Sequence, residues 1–252
     1  MTELIHPVEL DFLCEAAHIG ELPYPLELHS HGATMQERSV LRRQVQEQLR
    51  GRDLIDPSGR LDPALEEWLG VLAQPAQSID SVFLPDRGAA PVRALAATGR
   101  GATILASQHT DGTLELRQLD RNGLISAIVD LLPAAPRGTE LSITLPAEEF
   151  AAVGAGARGP APGRASEVET RQALVRLTGQ VSLRGGQLAA NSRDPLSGRR
   201  RSPVLAWFDN ASGRYLGQVK RASDGREWTT VAPADAATLR KRLSEMMAGV
   251  IE

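Results

Sequence analysis

The clearest periodic signal lies toward the C-terminal end of the chain. Apolar runs at 204–208, 215–219 and 228–231 are rich in aromatic and β-branched residues, which suit a pleated, half-buried surface. They are separated by Asp209-Asn210-Ala211-Ser212-Gly213 and by Ser223-Asp224-Gly225, stretches whose Asp, Asn and Gly tolerate the left-handed backbone of tight turns. The pattern predicts a three-strand antiparallel meander over 203–231. Pro233, Ala234 and Asp235 then open a helix over 234–250, with Leu239, Leu243, Met246, Met247 and Val250 on its inward face.

Upstream, a second run of strands is predicted at 78–84, 91–98, 102–108 and 113–119. The first connection is the loop 85–90. The other two, Thr98-Gly-Arg-Gly101 and His109-Thr-Asp-Gly112, are short and carry glycine, as hairpins require. A helix over 121–132 closes this unit, and Pro133 and Pro136 end it. Two helices precede the strands. Thr34 and Glu37 form a capping-box pattern at the start of 34–51. Asp62-Pro63 opens the next, with Leu65, Trp68, Leu69 and Leu72 as its apolar stripe and Pro75 as its stop. Residues 4–13 read as a short strand entering a helix at 10–18, and 22–28, with two prolines, as extended chain.

Between the two strand runs, 140–145 alternates as a short strand and 148–150 begins a turn of helix. The Gly/Ala/Pro-rich stretch 151–164 reads as a flexible connector. A helix over 167–177 follows. Then come two short strands, or one bent strand, over 178–191 around Arg184-Gly185-Gly186, and a basic loop over 194–201. The fold class is therefore α+β with antiparallel strands. The order helix, antiparallel strands, helix occurs at 62–132 and again at 167–251. One domain over 1–252 is expected, with approximate repeat halves 1–150 and 165–252 joined by the connector 151–164.

Composition narrows the function classes. Lys plus Arg number 28 and Asp plus Glu 31, a net charge of −3, which gives no bulk attraction to nucleic acid or anionic membrane. The single cysteine, Cys14, rules out an internal disulfide framework and a cysteine-based zinc site and favours a reducing compartment. The opening residues lack the basic segment and apolar core of a secretory signal, and no apolar run is long enough to span a bilayer.

The search for chemistry yields little. His29-Ser30-His31, with Glu27, could place two rings on one side of a strand and hold a metal, the basis of a metal-dependent enzyme reading. Ser107, His109 and Asp111 lie too close on one strand to converge as a triad. The string Gly154-Ala-Gly156-Ala-Arg-Gly159 lacks the strand-to-helix setting of a phosphate loop. Arg199, Arg200 and Arg201 suit a solvated loop or an acidic partner. No catalytic, cofactor or metal residue is assigned, and the balance favours binding over catalysis. A generic interaction module that pairs with itself is the other binding alternative.

The meander carries a resemblance. Asp209, Gly213-Arg214, the Asp224-Gly225 turn, Trp228 and Pro233 before a closing amphipathic helix are similar to the C-terminal half of the EspG family. These are cytosolic chaperones of type VII (ESX) secretion in mycobacteria and related actinobacteria. Val8-Glu9-Leu10, the stretch 54–62 before a helix, and Asp80-Ser-Val-Phe83 followed by Arg93-Ala-Leu-Ala-Ala97 resemble its N-terminal half. The resemblance implies one central antiparallel sheet with pseudo-two-fold symmetry and two flanking helical bundles. It implies a partner, the apolar helical tip of the PPE subunit in a PE–PPE heterodimer, kept soluble and secretion-competent without cofactor, metal or covalent chemistry. It also implies two contact regions: the loop after the first strand of the run, here Pro85, Asp86, Arg87 and Gly88, and the C-terminal bundle, here Leu239, Leu243, Met246 and Met247.

Overall fold

The computed structural model describes residues 2–99, 101–154, 165–194 and 198–251. Strand β1 (Thr2–Ile5) leads into helices α1 (Pro7–Ala16), α2 (Met35–Gly51) and α3 (Pro63–Ala73). Strands β2 (Gln77–Leu84), β3 (Val92–Thr98), β4 (Thr103–Gln108) and β5 (Leu114–Gln118) follow, then α4 (Leu124–Leu131). The chain continues through β6 (Ile143–Pro146), α5 (Ala147–Gly154), α6 (Ala165–Gly179), β7 (Arg184–Asp194) and β8 (Gly198–Arg201). It ends with the meander β9 (Leu205–Asn210), β10 (Gly213–Arg221) and β11 (Glu227–Pro233), and with α7 (Ala236–Ile251).

All these strands join one sheet in the order β1-β5-β4-β3-β2-β7-β9-β10-β11-β6, with β8 paired to β7. Every ladder is antiparallel, from Ser78↔Asn191 at the centre to Val231↔Ile143 at one edge. The central seam is the β2–β7 pair, which runs from Gln77↔Ser192 to Leu84↔Gly185.

Strand alternation sends successive side chains to opposite faces, and three cores follow from it. On one face α4 and α7 cover the centre of the sheet. Ile79, Ala96, Leu105, Leu188, Trp207 and Leu216 point into that core with Leu239 and Leu243. On the other face the sheet is covered in two separate places. Helices α1–α3 sit over β3–β5, enclosing Leu13, Trp68, Leu95, Ile104 and Leu116. Helices α5 and α6 sit over β6, β10 and β11, enclosing Ile143, Leu174, Leu177, Tyr215 and Val231. The middle of that second face, over β2 and β7, lies between the two helical layers.

Local signals account for most boundaries. Thr34 caps α2 as its spacing predicts: Oγ1 accepts the Glu37 N–H at 3.2 Å, and Glu37 Oε2 accepts the Thr34 N–H at 3.2 Å. Asp62 accepts the Ala64 and Leu65 N–H groups at the start of α3. Helix α1 begins at Pro7, three residues before the expected start, because proline suits a first turn and the His6 N–H is taken by Glu9 Oε2 at 2.9 Å. Its residues Glu9 to Cys14 are all buried, so no one-sided stripe marks it.

Three expectations need correction. Residues 151–154 continue α5 and are not connector; the remainder of that expected connector, 155–164, lies outside the described residues, as does most of the glycine string. The expected basic loop ends in strand β8, an all-exposed arginine strand that exists because the far end of β7 offers it an open ladder, Asn191↔Arg201 to Asp194↔Gly198. Residues 184–194 form one long strand, with Gly185 and Gly186 inside the ladder rather than at a bend.

Candidate protein-docking site

Between the two helical layers this face of the sheet is built by β2, β7 and β9; Asp80 and Ala189 on it are buried, and its open part is the end that carries Leu84, Gly185 and Gln187. On β2, Ile79 and Phe83 belong to the core under α4 and α7, so Asp80, Val82 and Leu84 point to the other face. By the same alternation Gly185, Gln187, Ala189 and Asn191 of β7 and Phe208 of β9 share that face. Leu84 is paired with Gly185, and Gly185 with Phe208, so an apolar strip crosses three strands with a glycine in its middle. Gly185 has no room for a side chain: a Cβ there would stand 2.8 Å from the Trp207 carbonyl oxygen. Leu183 extends the strip by one step, since its N–H donates to the Asp209 carbonyl at 2.8 Å. Leu84 is 44% exposed, Leu183 46% and Val181 57%. Aliphatic side chains this accessible, at the ends of the two central strands, form a surface that favours being covered.

The other end of the strip is polar and fixed. Asp80 is 2% exposed, and its carboxylate takes both terminal nitrogens of Arg201 and the Asn191 Nδ2 at 2.8 Å. Arg201 also donates to Asn191 Oδ1 at 3.0 Å and lies 5.3 Å above the exposed ring of Tyr24. The segment carrying Tyr24 is tied down beside it: the Glu27 N–H and carbonyl exchange hydrogen bonds with the Gln108 side chain at 2.8 Å, and Arg93 pairs with Glu27 at 2.7 Å.

The loop Pro85-Asp86-Arg87-Gly88 joins β2 to β3 at the apolar end of the strip. Pro85 is half-buried; Asp86, Arg87 and Gly88 are exposed. The Asp86 carboxylate accepts the Arg87 N–H at 2.8 Å, and Gly88 takes a φ of 77°, which closes the turn. The structure therefore brings this loop together with Leu84 and Leu183. It does not bring α7 to the same place. Leu239 and Leu243 are fully buried, and Met246 and Met247 are 7% and 8% exposed, all in the core on the opposite face. The family resemblance suggested them as contacts, but their apolar stripe is the one that seats the helix, as its inward spacing predicts.

The histidine pattern does not converge. His29 Nε2 stands 3.8 Å from Glu27, whereas His31 turns to Asp11, whose Oδ2 accepts the His31 backbone N–H at 2.6 Å and an Arg38 nitrogen at 3.0 Å. Among the described residues no group of three His, Cys, Asp or Glu side chains is placed to hold a metal ion. Burial, with help from Asp11, pushes the Cys14 thiol up to about 12, so it stays protonated and inert near neutral pH.

The meander's Asp209, Gly213 and Arg214 have a structural role that spacing alone did not reveal. Asp209 is buried between two arginines: Arg214 donates to both of its oxygens at 2.7 and 2.8 Å, and Arg184 Nε donates at 2.7 Å. Each arginine then donates at 2.6 Å to a carbonyl of the segment after α4, Arg214 to Pro133 and Arg184 to Ala134. The Arg214 guanidinium lies 4.6 Å above the Trp207 ring. Gly213, at φ 114°, lets the turn close against Arg137; a Cβ would stand 2.7 Å from the Arg137 carbonyl oxygen. The cluster clamps the connection between the two strand runs, and its charges are consumed in doing so.

Sequence reasoning missed Val181, Leu183 and Leu84 as surface residues. Their period-two pattern identifies strands but not which face is covered, and that depends on where α5 and α6 come to rest.

The profile of the EspG family matches residues 6–245 of the chain. No curated protein sequence gives a significant match. Among solved structures, the chain is similar to the type VII secretion system chaperone EspG5 of Mycobacterium tuberculosis, solved in complex with the PE25–PPE41 dimer. The TM-score is 0.71 at 11% identity, over 98% of this chain and 96% of that chain. At that identity the likeness speaks for the fold. No described helix is long and apolar enough to cross a membrane.

Proposed function

The chain belongs to the EspG family, and from that premise we propose that it is a cytoplasmic, non-enzymatic chaperone of type VII secretion. Its cargo is a PE–PPE-like heterodimer, whose apolar helical tip it keeps soluble. The observation that carries the reading is the apolar strip of Leu84, Gly185 and Leu183, ended by the loop 85–88 on one side and on the other by the half-buried Phe208 at the edge of the α5–α6 core, where the helices leave the sheet open. A helical tip has apolar side chains and satisfied backbone groups, so it needs a shallow apolar seat with a polar rim rather than a free strand edge. Val82 and the aliphatic strip supply the seat; Asp86, Arg87, Gln187 and the Asp80–Arg201 pair supply the rim. Covering a half-exposed leucine contributes about 1 kcal/mol, roughly half the value for full burial. Leu84 and Leu183 therefore act as anchors.

The test is co-expression with the PE–PPE pairs encoded beside the chain. One pair forms a stoichiometric complex that survives size exclusion, and Leu84→Asp combined with Leu183→Asp abolishes it while the variant melts within a few degrees of the native chain. Failure of every local pair to bind, or a complex indifferent to the double substitution, contradicts the reading. A chain that elutes as a stable dimer and loses that dimer with the same substitutions points instead to a self-associating module.

A further inference from the structure

The reverse face of the sheet carries a second surface that the cargo reading leaves unused. On that face α4 and α7 cover the central strands, and the strip of β10 and β11 beyond α7 is left beside the helix. A recess of about 340 Å³ runs there. It follows one side of α7 for two turns, because its helical wall is Thr238, Lys241, Arg242 and Glu245, spaced i, i+3, i+4 and i+7. Its floor is apolar at Leu205, Leu216 and Ala232 and polar at the next ladder pair on that face, Gln218 and Thr230. Trp228 is half-buried and is paired across the ladder with Lys220, so it lies on the same face, an apolar ring beyond the Gln218–Thr230 pair at the end of the recess.

The rim of this recess is cationic. Lys220 from β10 and Lys241 and Arg242 from α7 border it. Neither lysine makes an ion pair among the described residues. Glu245 is held by Arg242 at 2.6 Å and has its carboxyl lowered by Arg242 first, then by the nearby Lys241 and Lys220. Three cations thus surround one carboxylate that is already bonded to one of them. Arg242 is braced by a further bond to Gln218 Oε1, which points its guanidinium across the recess.

We propose that this recess is a docking groove for an acidic amphipathic helix of a second protein partner, distinct from the cargo site on the opposite face. Two features select a helix. The groove runs along α7, so its occupant packs beside that helix on the sheet, as neighbouring helices do at about 8–10 Å between axes. Strand β10 is bonded to β9 on one side and β11 on the other, so the floor offers no free backbone edge to an added strand. Charge selects the acidity: the occupant's apolar side meets Leu216, Ala232 and Trp228, and its carboxylates reach Lys220 and Lys241. The proposal does not rest on the identity of the cargo.

Fluorescence anisotropy on the full chain tests it. The probes are a labelled 18-residue amphipathic helix of Leu, Ala and Glu, its Gln counterpart, its Lys counterpart, and a single-stranded DNA. The acidic helix binds, at least tenfold more tightly than the Gln and Lys versions and more tightly than the DNA, and its affinity falls as salt is raised. Lys220→Glu with Lys241→Glu weakens it at least tenfold without changing the melting temperature, whereas Leu84→Asp with Leu183→Asp leaves it unchanged. Binding shifts the intrinsic fluorescence, since Trp228 is half-buried while Trp68 and Trp207 are each 1% exposed. Equal binding of the Gln helix, indifference to the double charge reversal, preference for DNA, or no binding of the acidic helix overturns the proposal.

Discussion

Asp209 joins β7 and β10 through the arginines on either side of it. It is 2% exposed, lies between Arg184 and Arg214, and through them holds the carbonyls of Pro133 and Ala134. Removing one partner from a buried ion pair leaves an uncompensated charge, which costs roughly 3–5 kcal/mol. Asp209→Ala is therefore expected to lower the unfolding free energy by about that amount in urea titration. Arg184→Ala is expected to cost less, because Arg184 is more exposed and Arg214 still covers the carboxylate. Gly213 could be read from the sequence as a turn residue, whereas Asp209, expected in the same turn, lies inside β9 and pairs with Arg184 and Arg214 across both ladders. Their role in tying down the connection between the strand runs could not be read, because Pro133 lies some eighty positions away and only the fold brings it near. The histidines show the limit of spacing from the other side. Their spacing offered a metal site, but Asp11 and Glu27, which take them in different directions, come from other segments or have other bonds to serve.

At the scale of elements, the capped helices and Gly-bearing hairpins were legible because their determinants are local. Thr34 with Glu37, Asp62 with Pro63, and the His109-to-Gly112 turn each stabilise their own boundary. Strand β8 was illegible because its stability comes from the ladder offered by β7 and from the bond of Arg201 to Asp80, not from its own composition. The apolar face of α7 was legible as a stripe, but a stripe does not say whether it meets a core or a partner; the sheet beneath it decides. The seam between β2 and β7 depends on Gly186, where a Cβ would stand 2.4 Å from the Phe83 Cβ and 2.5 Å from the Val82 carbonyl oxygen. Gly186→Ala is expected to destabilise the chain by about 1–3 kcal/mol, as overpacking does. Thermal unfolding read against an exposed Gly20→Ala control, where a Cβ meets nothing within 4 Å, separates this strain from simple glycine replacement.

For the whole molecule, strand order gives a plan that the chain order hides. Outward from the β2–β7 seam, one side runs β3, β4, β5 and ends on β1; the other runs β9, β10, β11 and ends on β6. We propose a single domain of two like halves, with β6 and α5 belonging to the second half. The expected boundary at 150 placed them with the first. This plan leaves one end of the seam, at Leu84 and Gly185, open between two helical layers and a strip of the other face bare beside α7. The two surfaces differ in chemistry, one aliphatic and one apolar with a cationic rim. On the reading proposed above, they let one small chaperone hold cargo on one side while its other side stays free.

Hydrogen exchange on the purified chaperone–cargo complex, compared with the free chain, tests the central claim most directly. The account predicts slowed exchange at 82–88 and 181–187, with β10, β11 and the exposed side of α7 unchanged. Protection confined to α7 and the β10–β11 strip, with the open face exchanging as in the free chain, would contradict it.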